Sequence, residues 1–387
     1  MSRNGCKQRR LRQLRLPELG RGVPPRYDLR EMAEIDWDDL IERYDRGRMR
    51  DVLAGFPDQC RQGIEIGHRF RAPVMREIDE VVVCGMGGSA MAGEVARRFA
   101  RIPVFVNRGY ALPGFVDERT LLVAISYSGN TAETLSVLSQ GLDRKIPSLC
   151  IASGGRMRDE AKRFDVPCVE IPAGCQPRMA VGYLALPLLS ILAQMGLLKI
   201  DVRREALLRT LERVRAFCEP EAAARENRAQ GIAEALFGKV PVIYGTADNT
   251  DLVAMRWKTE INENSKQAAF WNVFPELNHN EIVSLGKPEL VANQHVVFLH
   301  NSHDLRENVC RMEISRGLFA RAGVACTDVR ADGDDELSEV FSHVYLGDYV
   351  SFYLALLNQV DPTPVRLIED FKKELEERLK LREGIHD

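Results

Sequence analysis

Apolar and polar positions along the chain follow two alternating patterns. Short apolar runs that predict buried strands occupy residues 80–85, 102–107, 120–126, 147–153 and 166–172, and then 240–246, 268–275, 295–300 and 325–331. Apolar residues recur at helical spacing over residues 89–100, 131–142, 248–264, 304–321 and 337–357. Strands that alternate with helices are typical of parallel βαβ units. We therefore predict an α/β fold with two doubly wound parallel sheets, one in each half of the chain.

Further helical patterns surround these two halves. Residues 28–44 and 49–70 predict a helical lead-in, residues 183–217 an amphipathic helical bridge, and residues 364–381 a terminal helix. The resulting domain prediction is an N-terminal extension over 1–25, a first subdomain with its lead-in over 26–200, a helical connection over 201–235, a second subdomain over 236–360 and a C-terminal helix over 361–387.

The N-terminal extension is basic. It contains "KQRRLRQLRL" and has no acidic residue before Glu18. A nucleic-acid-binding arm or an organelle-targeting segment would have this charge. A disordered extension is the simpler interpretation, because the segment has no apolar face long enough to pack on a core.

Composition narrows the classes of function. The 387 residues are 45% hydrophobic and 28% charged, with a net charge of −3, which is typical of a globular protein and gives no reason to expect nucleic acid as a partner. No apolar run reaches the length that would span a bilayer, so we expect no membrane partner. Nine cysteines without a C-x-x-C pair or a signal peptide favour reduced thiols and a cytoplasmic location.

Two loops of small residues follow predicted strands of the first half. Residues 85–90 have the pattern G-x-G-x-x-A, and residues 125–134 read "ISYSGNTAET". In the second loop Ser126, Ser128 and Thr131 supply hydroxyls, and the following helix begins with free backbone N–H groups. These groups suit a phosphate monoester.

The first loop by itself also fits a dinucleotide. A dinucleotide fold would carry an acidic residue about 20 positions after the glycines, whereas this sequence has Asn107 and Arg108. Arg108 suits a 2′-phosphate, so NADP stays a weaker alternative, although the hydroxyl-rich loop has no role in it. In the remaining alternative, both loops are only β-to-α turns that bind no ligand.

Six motifs together carry a resemblance to a known family. They are "GMGGSAMAG", "SYSGNTAET", "GCQPR", "INENSK", "FPELNHNEIV" and "DPTPVRLIEDFK". The sequence from about residue 30 to 380 resembles the bifunctional phosphoglucose/phosphomannose isomerases of archaea and bacteria, in the sugar isomerase (SIS) superfamily. The serine-rich motif indicates only a sugar-phosphate SIS domain, and the "NENSK" and "PELNHN" motifs are much more particular.

The resemblance implies four catalytic residues. Glu263 resembles the carboxylate base of the family, and Arg178 the arginine that stabilises the enediolate. His279 resembles the residue that assists ring opening and that reaches the active site of the neighbouring subunit, which implies a homodimer with shared sites. Lys372 resembles the lysine that contacts the ring-side oxygens, with Lys373 as the alternative one position away.

It also implies the residues that bind the substrate. The sugar-binding loop is expected at Gly87, Gly88 and Ser89, and the phosphate-binding loop at Ser126, Ser128 and Thr131. In the family, a threonine near the last helix makes room for both epimers. In this sequence either Thr363 or Val365 falls at that position.

The resulting hypothesis is an enzyme. It would isomerise glucose 6-phosphate and mannose 6-phosphate reversibly to fructose 6-phosphate through a cis-enediolate, with no cofactor. We predict no metal, since His295, His300 and His303 lack the i, i+4 spacing of a helical metal site. The alternatives are an SIS isomerase for another sugar phosphate, a noncatalytic SIS regulator that senses sugar phosphates, and an NADP oxidoreductase.

Overall fold

A computed structural model describes residues 35–72, 77–222 and 227–383. The chain divides into two units, residues 1–37 and residues 38–387. The helices and strands reported below lie in the second unit, apart from the first residue of the first helix. The predicted disordered extension over residues 1–25 lies outside the described residues, and the other predicted domain boundaries stay predictions.

The first half contains one sheet and its helices. Its elements are α1 (Trp37–Tyr44), α2 (Met49–Ala54), α3 (Phe56–Arg69), β1 (Glu80–Cys84), α4 (Gly88–Phe99), β2 (Val104–Asn107), β3 (Thr120–Ser126), α5 (Ala132–Asp143), β4 (Ser148–Ala152), α6 (Gly155–Arg163), β5 (Cys168–Glu170), α7 (Val181–Gln194), α8 (Arg204–Cys218) and α9 (Arg228–Leu236). A 3₁₀ helix over Pro177–Met179 stands between β5 and α7.

The second half repeats the plan with a smaller sheet. Its elements are β6 (Val240–Thr246), α10 (Asp251–Asn264), β7 (Phe270–Phe274), α11 (Pro288–Val291), β8 (Gln294–His300), α12 (Arg306–Arg321), β9 (Ala325–Arg330), α13 (Glu336–Leu357) and α14 (Arg366–Glu383). Two 3₁₀ helices, Glu276–His279 and Glu281–Gly286, follow β7.

Both sheets are parallel, as predicted. The first has the strand order β2-β1-β3-β4-β5, and the second has the order β7-β6-β8-β9. All pairings between neighbouring strands are parallel. In each sheet the order reverses beside the first strand, between β1 and β3 and between β6 and β8. Crevices form at such reversals, at the carboxyl ends of the strands.

Two helices differ from the sequence prediction. The predicted amphipathic bridge begins with α7, whose residues 181–192 are all buried, since both α3 and α4 pack against it. Helix α6 was not predicted from its sequence. Its "GRMRDEAKR" pattern has only Met157 and Ala161 as buried positions, which is too few to give a clear apolar period.

Helix α13 is the long apolar helix of the second half. By length and composition alone it could cross a membrane, so the expectation that no apolar run reaches that length is wrong for this segment. Residues 337–357 are all buried inside the protein, where α8, α9 and α10 pack around the helix. Its apolar composition is therefore explained by its place in the core.

Candidate active site

The two predicted ligand loops meet at the strand reversal of the first sheet. The loop after β1 leads into α4 through Gly87, whose φ of 51° and ψ of −123° suit a residue without a side chain. The loop after β3 leads into α5. The Oγ of Ser89 accepts a hydrogen bond of 3.3 Å from the backbone N–H of Tyr127, so the two loops are held together.

The small hydroxyl side chains at the end of β3 and in the loop after it differ in burial. Ser126 is fully buried, and its Oγ lies 2.8 Å from Oγ1 of Thr131. Ser128 is exposed and Thr131 half-buried, and the Oγ of Ser128 accepts a 3.3 Å hydrogen bond from the N–H of Asn130. Ser128 and Thr131 can therefore reach a ligand, whereas the buried Ser126 stabilises the loop through its hydrogen bond with Thr131.

The 3₁₀ helix that carries Arg178 packs directly on the first loop. A Cβ atom at Gly88 would lie 2.6 Å from the carbonyl oxygen of Pro177 and 3.2 Å from the Cα of Arg178. Real Cβ atoms essentially never approach an oxygen so closely. The glycine at position 88 thus allows Arg178 to stand beside the predicted sugar-binding loop.

Arg178 and Glu263 come together although they belong to different halves. Arg178 is 4% exposed, and its Nη1 lies 3.6 Å from Oε2 of Glu263, near the end of α10. The Nη2 of Arg178 donates to the backbone oxygens of Pro362 (3.0 Å) and Thr363 (2.8 Å). Two distant segments, the end of α10 and residues 362–363, therefore meet at the guanidinium of Arg178, and the carboxylate of Glu263 is partly open to solvent.

A buried charge cluster lies behind this pair. Arg256 donates to both carboxylate oxygens of Asp348, at 2.8 and 2.9 Å, and its Nη1 lies 3.1 Å from Oε1 of Glu260. Burial raises the pKa of Glu260 to about 8, although Arg256 opposes this, and burial also raises the pKa of Asp348. Glu260 is thus a core residue, whereas a helical glutamate is usually exposed.

Lys266 is a site residue that sequence reasoning did not single out, although it lies in the "INENSK" motif. Its Nζ donates to the backbone oxygen of Glu263 and, at 3.0 Å, to that of Pro362. Burial and the nearby Arg178 lower the pKa of Lys266 to about 8. Lys266 therefore ties the end of α10 to the segment before α14, next to the predicted base.

The other two predicted catalytic residues are exposed and make no hydrogen bond or ion pair with this pair among the described residues. His279 is exposed in the 3₁₀ helix after β7, and Lys372 is exposed on α14, as is Lys373. None of the hydrogen bonds and ion pairs that hold Arg178 and Glu263 in the described part of the chain involves them. One chain alone thus supplies the base and the arginine.

Both candidates for the specificity position lie just before α14. Thr363 contributes its backbone oxygen to Arg178, and its side chain packs against Gly47. Val365 is half-buried. The Thr363 side chain therefore fills space against the helical lead-in.

Arg108 and Asn107, which were considered for nucleotide binding, form hydrogen bonds within the chain. Nη2 of Arg108 lies 2.7 Å from Oε1 of Glu94, and the amide of Asn107 donates to the backbone oxygen of Ala111 at 2.8 Å. Over residues 35–72, 77–222 and 227–383, no group of three or more His, Cys, Asp or Glu side chains could hold a metal ion.

The corresponding edge of the second sheet is closed by a carboxylate of the chain itself. Oδ1 of Asp304 accepts hydrogen bonds from Oγ1 of Thr246 (2.6 Å) and the amide of Asn249 (2.8 Å), and its Oδ2 accepts from the N–H of Asn301 (2.9 Å). Asp304 thus pairs with the hydrogen-bond donors at this edge, whereas Ser128 and Thr131 at the first sheet stay accessible.

Two parallel α/β sheets, with hydroxyl and glycine loops at a strand reversal, define a protein of the SIS class. Residues 225–375 match the model of the bacterial phospho-glucose isomerase C-terminal SIS domain. A hypothetical protein from Thermus thermophilus has the same fold, with a TM-score of 0.67 at 15% identity over 88% of this chain and 93% of that one.

Sequence relatives define the family. The chain is 40% identical over 336 residues to a bifunctional phosphoglucose/phosphomannose isomerase of Caldicellulosiruptor bescii, covering 85% of this chain and 99% of the relative. It is 34% identical over 300 residues to the Aquifex aeolicus protein of that name, covering 76% and 90% of the two chains. The chain belongs to the family of bifunctional phosphoglucose/phosphomannose isomerases, which confirms the resemblance in the sequence.

Proposed function

We propose that this protein isomerises glucose 6-phosphate and mannose 6-phosphate reversibly to fructose 6-phosphate. The observation that carries the proposal is the convergence of a partly exposed carboxylate, Glu263, and a buried guanidinium, Arg178, beside the loops after β1 and β3. Family membership indicates which substrates to expect, and the site contains a base and a cation for an aldose–ketose isomerisation.

The reaction needs one base and one group that stabilises negative charge. Glu263 takes the proton from C2 of the open-chain aldose and returns it to C1, while the O2 hydroxyl proton moves to O1. The intermediate enediolate carries a negative oxygen, and the charge of Arg178 favours it over the neutral sugar. The 3.6 Å between Nη1 and Oε2 leaves the two groups facing the same space without a direct hydrogen bond.

The phosphate group holds the sugar in register over Glu263. Ser128, Thr131 and the first N–H groups of α5 bind it, while Gly87, Gly88 and Ser89 face the sugar. The phosphate does not react, so its binding energy serves to orient the reacting carbons. Weakening this loop is therefore expected to reduce turnover as well as affinity.

The active unit is a homodimer in the cytoplasm, acting in glycolysis and gluconeogenesis. His279 is exposed on its own chain, and Trp271, Val283 and Leu290 near it in sequence are large exposed apolar residues. Such side chains favour a covered surface. A second copy seated there would receive His279 for ring opening, and Lys372 would contact the ring-side oxygens.

The first test is formation of fructose 6-phosphate from each substrate separately, with no metal or nicotinamide added to the isomerase. We expect turnover of both. In Glu263→Gln turnover should fall at least 100-fold, because a positioned base contributes roughly 10²- to 10⁴-fold. Fructose 6-phosphate should still bind to this variant, as measured by calorimetry.

The matched control is Glu118→Gln, a change of an exposed glutamate just before the start of β3, at the opposite end of the sheet from the candidate site. Its turnover should stay close to that of the wild type. Turnover of neither substrate by the wild type would refute the proposed reaction. Turnover of both with an active Glu263→Gln would refute the base assignment alone.

A further inference from the structure

The guanidinium of Arg178 is held by neutral acceptors on two of its edges. Its Nε donates to Oδ1 of Asn264 at 2.6 Å, and its Nη2 donates to two backbone oxygens, those of Pro362 and Thr363. Its Nη1 is directed towards Glu263 at 3.6 Å. On these two edges the hydrogen bonds fix the guanidinium without pairing its charge with a second carboxylate.

Asn264 can hold Arg178 in only one orientation. This side chain is completely buried, and its Nδ2 donates to Oε2 of Glu260 at 3.1 Å and to Oγ of Ser351 at 2.9 Å. The hydroxyl of Ser351 itself donates to the backbone oxygen of Asp348, so it accepts from Asn264. With both acceptors on the nitrogen side, the amide oxygen must face Arg178.

The backbone of Arg178 is fixed from the same cluster. Nη2 of Arg256 donates to the backbone oxygen of Arg178 at 3.0 Å while it pairs with Asp348. Both the main chain and the side chain of Arg178 are therefore anchored to α10 and α13. Asn264 is also the residue directly after the base, so one helix end sets the positions of both.

We propose that Asn264 is a positioning residue for isomerisation, which acts by holding the Arg178 guanidinium against the developing enediolate. The inference rests on the proposed function and adds to it a residue that touches no substrate atom. Its effect must pass through Arg178. It must also appear in the chemical step more than in substrate binding, because the side-chain hydrogen bonds of Asn264 go to Arg178, Glu260 and Ser351 rather than to the phosphate and sugar loops.

The test is a double-mutant cycle on kcat and KM with Asn264→Ala, Arg178→Ala and the double variant. We expect Asn264→Ala to lower kcat roughly tenfold, less than the 10²- to 10³-fold typical of removing a direct oxyanion donor, with KM changed less than twofold. The double variant should be no slower than Arg178→Ala. A double variant slowed by the product of the two single effects would overturn the proposal.

Two further variants separate positioning from folding. Ser351→Ala removes one of the acceptors that orient Asn264. It should lower kcat by less than Asn264→Ala does. In the Arg178→Ala background it should not change kcat. Asn227→Ala removes a buried asparagine that donates to the backbone oxygens of Cys218 and Glu219. It should lower stability and leave kcat unchanged. An equal loss of kcat in Asn227→Ala would show that the effect is structural.

A binding measurement keeps the inference separate from the proposed reaction. Arg178→Ala leaves the acceptors of the guanidinium in place, so methylguanidinium chloride should raise its unfolding temperature relative to sodium chloride. The wild type and the Arg178→Ala/Asn264→Ala variant should show no such rise. A rise that survives in the double variant would exclude Asn264 as a holder of the guanidinium, whether or not either sugar phosphate is turned over.

Discussion

His343 is a single buried side chain that should make stability depend on pH. It lies in α13, is 1% exposed, and its Nε2 is 2.9 Å from the backbone oxygen of His300. Burial lowers the pKa of His343 from 6.5 to about 4. The folded protein therefore keeps this ring neutral, whereas the unfolded chain protonates it below about pH 6.5.

The sign of the effect follows from these two values. The contribution of His343 is complete above about pH 6.5 and is lost as the pH falls towards 4, on the order of 3 kcal/mol at most, from 1.36 kcal/mol per pKa unit. In His343→Gln, whose amide can still donate to His300, urea unfolding should show less loss of stability between pH 6.5 and 4. The exposed His68→Gln serves as control and should follow the wild type. A constant difference between His343→Gln and the wild type across this range would contradict the prediction.

At the scale of elements, the contact between α4 and the Arg178 segment depends on one missing side chain. Alanine favours helices over glycine by up to about 1 kcal/mol, so Gly88→Ala would be stabilising on propensity alone. The new Cβ would stand 2.6 Å from the Pro177 oxygen, and backbone must move to relieve this overlap. The steric overlap, and not helix propensity, therefore determines the effect of Gly88→Ala.

We expect Gly88→Ala to lower kcat by roughly 10- to 100-fold, as displacements near 1 Å can do, while the protein stays folded. Steady-state kinetics on both substrates and a melting curve measure this. Gly114→Ala is the matched control, because a Cβ there has no atom within 4 Å. If Gly88→Ala keeps the kcat of Gly114→Ala, the packing of Arg178 on the first loop does not matter for catalysis.

The same elements show what the sequence could predict. Strands such as β3 and β6 were found because buried parallel strands are continuous apolar runs, and the two loops after β1 and β3 were found from their glycines and hydroxyls. The contact of Pro362 and Thr363 with Arg178 uses backbone oxygens, which leave no mark on residue type. Asn264 stood in a quoted motif, but its burial follows from packing against α13, which no local pattern encodes.

At the scale of the whole molecule, the two halves both contribute residues to the candidate site. The carboxylate of Asp304 closes the edge of the second sheet, while α10 of that half carries Glu263 to Arg178 in the first. The helix begins at Asp251, so at 1.5 Å per residue Glu263 stands about 18 Å from that edge. The second half therefore contributes to the site through the end of α10. The donors at its own strand reversal are paired with Asp304.

The proposed homodimer with shared sites gives the prediction for the assembly. If His279 acts in the partner's site, a dimer of one Glu263→Gln and one His279→Ala subunit contains one site with both residues intact and one with neither. Mixing the two inactive variants under conditions of subunit exchange should restore activity, to about one quarter of the wild type when exchange is random and each intact site works independently. Each variant mixed only with itself is the control.

The readout is fructose 6-phosphate formation, with exchange followed separately by native mass spectrometry of subunits that differ in isotope label. Restored activity requires that the two residues of a working site come from different chains, since neither parent chain carries both. Mixed dimers that form and stay inactive would place His279 in the site of its own chain.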